Sequence, residues 1–555
     1  GLLEKVLGSD PVVRAGYAIA YNRGSMTDYT TVLGNNPGIL IDANRGQNLG
    51  NLGAVPVLFR ERDRLGAPAF ISSPVYPAPP PNVDASVNIF DPNLQVPYSQ
   101  TWQFGVQREL GRKMAVSVGY VGSRGLQEWL TGGANARNAR FNYNEINIYE
   151  NGFLNEFRLA QGNLQANIAA GRGATFAFTG VPGTAPLPIF LAYFSGLPAA
   201  MAGDPARYTS ALFSNSTFVN TMARFFPQPQ VAADNLDADA TRRANALAAG
   251  LPANFLVANP DALGGAFVTG NGGTTGYHSL QVELNRRMSS GLQFSSNYVL
   301  ARTEEFARYS FRTPTVKRVN GGTVGGITHA FKLSGIWEFP FGKGKRFASG
   351  ASGALDRIIG GWSVAGTNRI QSGRQLDYGN VRLVGMTAKD VRKMSKLRFD
   401  HAGKKIFMLP QDVIDNTIKA FSVSATSPTG YGALGAPSGR YFAPANGPDC
   451  IERSYDTSPT NAEHTGFGDC GVGSLVVTGP MFWTADLSIV KNIRLRGNLG
   501  FSFRAEMLNA FNRANFTPNI GPGVTASGIG TNENAYLVTT ADSGRTVQFV
   551  ARISW

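Results

Sequence analysis

The chain has 555 residues and a formal net charge of +14, from 51 Lys and Arg against 37 Asp and Glu. Apolar residues at 43% exclude a mainly disordered chain, and 66 glycines without a three-residue period exclude a collagen-like one. Only 16% of residues are charged and no apolar run is long enough for a membrane helix, which leaves a large β-rich protein, either multi-domain and soluble or a barrel in a membrane.

The chain opens at Gly1 with GLLEKVLGSDPVV, shows no signal peptide and runs directly into a strand, so an upstream segment is expected. The first strand is 12–21, where Val13, Tyr17, Ile19 and Tyr21 alternate with polar or small positions such as Arg14. Further period-two stretches follow at 99–108 (Trp102, Phe104 and Val106 against Gln103 and Gln107), 114–122, 277–288, 291–302, 328–340, 361–372 and 481–491. In 495–507, Leu495, Leu499, Phe501, Phe503, Ala505 and Met507 alternate with Arg496, Asn498, Ser502, Arg504 and Glu506. The last stretch sets Val547, Phe549, Ala551, Ile553 and Trp555 against Gln548, Arg552 and Ser554. These ten strands are mostly about nine to eleven residues long, the span of a tilted strand through hydrocarbon, whereas strands of a soluble sandwich run nearer five or six.

The connections alternate in length. Short turns follow 108 (ELGRK), 288 (SSG) and 491 (NIR), and a medium one, GKGKRFASGASGALDRIIGG, joins 341 to 361. Long excursions cover 22–98, 123–276, 303–327, 373–480 and 509–544. With strands running up and down, every short turn lies on one side and every long one on the other. That asymmetry predicts an all-β, antiparallel outer-membrane barrel with long extracellular loops containing short helices, and it puts the C-terminus on the periplasmic side.

The segments DPNLQVPYSQTWQFGVQREL, VSVGYVGSRG, NIYENGFLNEFRLAQGNL, YHSLQVELNRRMSSGLQFSSNYVLA, THAFKLSGIWEFPFGKGKRF, IIGGWSVAGTNRIQSGR and FRAEMLNAFNRANFTP cover most of the chain from about residue 88 onward. In them the chain resembles the TonB-dependent receptors of the Oar-like type, which carry a carboxypeptidase-regulatory-like domain ahead of a plug. The resemblance implies that residues 1–555 are the C-terminal part of a barrel of about 22 strands in a Gram-negative outer membrane. The plug, TonB box and N-terminal domain would then lie outside this chain. It also implies partners: outer-membrane lipid, TonB acting through the upstream region, and an unidentified ligand. The ending Phe549, Ile553 and Trp555 resembles the terminal signal read by the barrel-assembly machinery, with Trp where the family commonly has Phe.

Candidate chemistry is sparse. Cys450 and Cys470 fall in the 373–480 excursion, where strand parity places them outside the cell. A disulfide closing that loop would contribute roughly 3 kcal/mol, against the alternative of two free thiols. Asp234, Asp237 and Asp239 lack calcium-loop spacing, and TRRANALAAG after them reads as a capped helix. FGKGKRF lacks phosphate-loop spacing and reads as a basic turn. Thr387 and Asp390 in TAKDVRKMSKL have capping-box spacing, and LPQDVIDNTIKAF reads as a second helix. No catalytic set, cofactor site or metal site can be argued from spacing, so no enzyme is expected. The basic excess shows no nucleic-acid module. Arg14, Lys332, Arg496, Arg504, Glu506 and Arg552 fall on the polar parity and are expected to face a wet lumen or a plug. The function expected is ligand capture by loops 123–276 and 373–480 followed by TonB-energised import. The alternatives are a structural or adhesive surface barrel and a passive porin.

Overall fold

The computed structural model describes residues 11–22, 26–34, 36, 60, 87–129, 141–307, 316–319, 326–378, 381–451, 475–497, 499–518, 532–540 and 544–555. Ten strands make one antiparallel sheet in chain order: β1 (Val12–Tyr21), β2 (Tyr98–Leu110), β3 (Met114–Trp129), β4 (Asn271–Ser289), β5 (Leu292–Ala307), β6 (His329–Glu338), β7 (Trp362–Gln371), β8 (Phe482–Arg496), β9 (Leu499–Leu508) and β10 (Thr546–Ser554). All ten coincide with alternating stretches of the sequence. Val316–Val319 adds a short pairing to β5. Among the described strands, β1 and β10 are the two edges of this path and do not pair with each other.

The register carries one face through the whole sheet. Antiparallel partners project to the same side, so Tyr17 opposite Trp102, Phe104 opposite Tyr120, Tyr120 opposite Leu280, Leu280 opposite Leu300, and Phe503 opposite Ala551 all share an apolar face. The other face carries Arg14 opposite Gly105, Glu283 opposite Asn297, Lys332 opposite Arg369, Ser488 opposite Glu506, and Ser502 opposite Arg552. A one-residue slip anywhere would exchange the faces of every strand beyond it. At Gly122 the sheet has local room for the ring opposite it. A Cβ there would stand 2.4 Å from the Trp102 indole, so the missing side chain lets the ring lie across the strand.

Two strand boundaries differ from the sequence reading. The turn expected at Asn492–Arg494 is strand: β8 runs on to Arg496, and the chain reverses at Gly497, whose φ of +58° suits glycine. The pairing shifts between Arg494 and Arg496, so Arg496 stands in β8 opposite Leu499 instead of on the polar side of β9. The 123–276 excursion is shorter than expected, because β3 continues to Trp129 and β4 starts at Asn271.

The tight core lies outside the sheet. Few strand residues are fully covered, while most buried apolar side chains gather in the connections at the long-connection end. Among the described residues no helix is long and apolar enough to cross a membrane.

Candidate functional site

The described parts of three long connections fold into a head. Its first part, within 141–263, contains helices α1 (Phe153–Ala169), α2 (Pro188–Ser195), α3 (Pro229–Asp237) and α4 (Ala240–Ala248). Phe153, Phe157, Ala160 and Leu164 fall on one face of α1 and are fully buried. They meet Phe190 and Phe194 of α2, and rings pack edge to face at 5.2 Å for Phe176–Phe190 and 5.0 Å for Phe194–Phe218.

Polar groups inside this core organise its loops. Asn163 donates to the Phe176 and Ala185 carbonyls at 3.1 and 2.8 Å, and Asn167 to those of Thr175 and Ala177 at 2.9 and 3.0 Å. Glu156 is 5% exposed, and its two carboxylate oxygens accept the backbone N–H groups of Ile189 and Phe190 at 2.8 Å each. Those are first-turn donors of α2, whose N-cap Leu187 offers no side-chain acceptor. Burial pushes the Glu156 carboxyl up to about 7, partly offset by those two hydrogen bonds. Asp237 is also pushed up by burial, to about 6, and accepts from the Tyr193 hydroxyl at 3.0 Å. Two of the three aspartates considered for calcium have other tasks: Asp239 caps α4 by accepting from Arg242 N, and Asp237 accepts from the Tyr193 hydroxyl. Among the described residues, no group of three His, Cys, Asp or Glu side chains could hold a metal ion.

The second part, within 375–451, takes in residues 532–540 from the last long connection. Thr387 and Asp390 form the expected capping box at the start of α6 (Ala388–Met394). The expected second helix is α7 (Gln411–Phe421). Arg440 grips Asp412 through two hydrogen bonds, 2.7 and 3.1 Å, and this holds the carboxyl below its usual range. Tyr378 stacks on Phe442 at 5.1 Å, and Lys405 pairs with Glu533. The two parts touch: Phe225 stacks on Tyr431 at 4.3 Å, Asn446 donates to the Pro227 carbonyl at 2.9 Å, and Ile451 enters the first core.

Below the head, the polar face of the sheet brings together Lys332, Arg504, Glu506 and Arg552, with Arg14 at the β1 edge. Arg504 and Glu506 are 3.1 Å apart and half exposed, a pair worth little by itself. A trough of about 740 Å3 on this face is lined by the polar side chains of Gln293, Ser295, Ser334, Thr367, Asp486 and Glu506 together with apolar ones such as Ile336, Ala365 and Leu508.

The family model described as "Outer membrane beta barrel domain" matches residues 6–548. The chain belongs to that family. No curated protein matches the chain. Among solved structures it is similar to the outer membrane transporter YddB from Escherichia coli, with 8% identity, a TM-score of 0.26, and coverage of 84% of this chain and 34% of that one. It is also similar to the ferripyoverdine receptor of the Pseudomonas aeruginosa outer membrane, with 8% identity, a TM-score of 0.27, and coverage of 82% of this chain and 27% of that one. The chain thus spans about a third or less of the length of these relatives.

For an outer membrane barrel domain the apolar face is the lipid face, and its two ends differ. Toward the long connections it carries polar-tipped rings: Tyr120 with His278 at 2.6 Å, Tyr298 with His329 at 2.8 Å, and Trp483 donating to Asn368 at 3.3 Å. The short-turn end is basic. Arg108, Arg112 and Lys113 flank the first turn, and Arg286 and Arg287 the second. Lys343, Lys345, Arg346 and Arg357 lie in the third, which contains helix α5 (Gly353–Ile359). Lys491, Arg494 and Arg496 end β8, and Arg552 lies near the end of β10. The sequence reading assigned part of the basic excess to the polar strand positions and did not count the Lys and Arg of the short turns together.

Phe549, Ile553 and Trp555 lie on the exposed apolar side at the β10 end, Trp555 being 92% exposed. Cys450 is described, while Cys470 lies outside the described residues, so their pairing stays an expectation. Alkylation of the denatured, unreduced chain should add no label to either cysteine, and two labels would show free thiols.

Proposed function

We propose that this chain is the C-terminal part of a TonB-dependent outer-membrane receptor of the Oar-like type. In this reading the head faces the medium, the short turns and C-terminus face the periplasm, and the barrel-assembly machinery reads the Phe549–Trp555 ending. The observation that carries the proposal is the one-sided head. Two long connections, with part of a third, fold and pack together at one end of a sheet that has a lipid face and a hydrophilic face. A rigid surface of this kind above a polar wall suits ligand capture before passage. The strand and turn motifs of the Oar-like type support the family assignment. Capture and import are proposed without chemistry on the ligand.

The test uses the complete gene product in its host. Uptake of the ligand identified by surface binding should stop when TonB is deleted, while surface binding persists. Replacing 141–263 with a short turn should remove binding but leave the protein in the outer membrane. Uptake that survives TonB deletion would mark a passive pore. Binding without any uptake would mark an adhesive or structural barrel, which the size of the packed head would also suit.

A further inference from the structure

We propose that the short-turn end of the sheet is a binding surface for anionic phospholipid headgroups. Its five stretches, 106–116, 284–294, 336–362, 489–502 and 550–555, carry thirteen Lys and Arg against three Asp and Glu. They hold +10 of the net +14 in about an eighth of the chain. Charge clustered at one end of a membrane sheet attracts anionic lipid far more than the same charge spread over the molecule.

Arg494 and Arg552 stand on the hydrophilic face by register and Lys491 is buried on turn carbonyls, while the other cations of this end have few acid partners. Of these cations only Lys345 has an ion pair among the described residues, with Glu338 at 3.1 Å. Arg108 and Arg286 stand on the apolar face by register, one strand apart. The Arg286 guanidinium bends to the turn carbonyls of Ser289 and Leu292, at 3.2 and 3.4 Å, placing its charge at the end of the sheet. The Arg108 Nε is covered and has no hydrogen-bond partner.

The same end carries apolar groups suited to the acyl boundary. Trp337 of the apolar face packs against Phe339 with ring centroids 4.8 Å apart and the rings tilted, and the turn continues into Phe341, Phe347 and Ile358, which are 44, 48 and 68% exposed. Lys491 fixes this turn to the sheet. Its Nζ donates to the Ile358 and Gly360 carbonyls at the end of α5 and lies 5.0 Å from the Trp362 ring centroid. Apolar groups level with a rim of largely unpaired cations match the headgroup layer of a phospholipid leaflet, and continue the lipid face already assigned. This surface is independent of cargo and of TonB, and its failure would leave the receptor reading standing.

The test reconstitutes the full chain in phosphatidylcholine nanodiscs containing about one part in five phosphatidylglycerol, with spin-labelled versions of both lipids. The motionally restricted lipid should favour phosphatidylglycerol by roughly fivefold, and this preference should fall toward one at high salt. The variant Arg112→Gln, Lys113→Gln, Lys343→Gln, Arg346→Gln should lose most of it. The head variant Arg158→Gln, Arg172→Gln, Arg207→Gln, Lys404→Gln, with the same change in net charge, should keep it. No preference in the native chain, or equal loss in both variants, would overturn the proposal.

Discussion

Phe190→Ala is expected to unfold the first part of the head while the ten-stranded sheet stays folded. Phe190 is fully buried, and its ring meets Phe153 at 5.6 Å, Phe176 at 5.2 Å and Phe194 at 5.7 Å. Removing it leaves a cavity in a close-packed aromatic cluster, at a cost of about 3–5 kcal/mol. The sheet shares little of that core, since its stability rests on strand pairing and a lipid-covered face. Hydrogen exchange in detergent separates the two. Amides of 153–195 should lose most of their protection while those of β4 and β5 keep theirs. Equal loss in both regions would show that head and sheet unfold as one unit, and no loss in 153–195 would show that the cavity collapses without cost.

The second large effect is on pH. Glu156 titrates at about 7 in the folded head against 4.5 as an ordinary glutamate, and Asp237 at about 6 against 3.8. Both folded values are raised, so between the ordinary and the folded value the folded state holds a proton that the unfolded state has released. Stability of the head therefore falls as pH rises through roughly 4 to 7 and is flat above that window. For Glu156 the full loss is about 3 kcal/mol. Exchange of amides in 153–195 should quicken from pH 5 to pH 8 beyond the intrinsic chemical rate. Glu156→Gln together with Asp237→Asn should flatten that excess. Glu156→Gln alone should weaken the head at pH 5 by about 1–3 kcal/mol, because its amide NH2 must face a backbone N–H. An unchanged slope in the double variant would mean that other groups set the pH dependence.

How much was legible depends on the range of the interaction that fixes each feature. The strands were readable because lipid on one side and water on the other impose a two-residue period that neighbouring residues display by themselves. Thr387 and Asp390 were readable for the same reason, since a capping box is complete within four residues. Helix α1 was missed, although Phe153, Phe157, Ala160 and Leu164 recur at helical spacing. Asn163 and Asn167 stand on the same buried side and break the apolar stripe, and only contacts with loops eight or more residues away show why they belong there. The β8–β9 turn was misplaced because alternation continues through Leu495, and the reversal is marked only by Gly497.

The low charge density, the alternation and the asymmetric connections determined by themselves that this chain forms an antiparallel sheet with a lipid side. Each of those follows from the solvent that a residue meets and needs no knowledge of distant partners. Tertiary structure decided that the described parts of the long connections pack together and that Glu156 is enclosed against the start of α2. Those features depend on residues far apart in sequence meeting in space, and an alternating pattern along the chain has no way to encode which of them will meet.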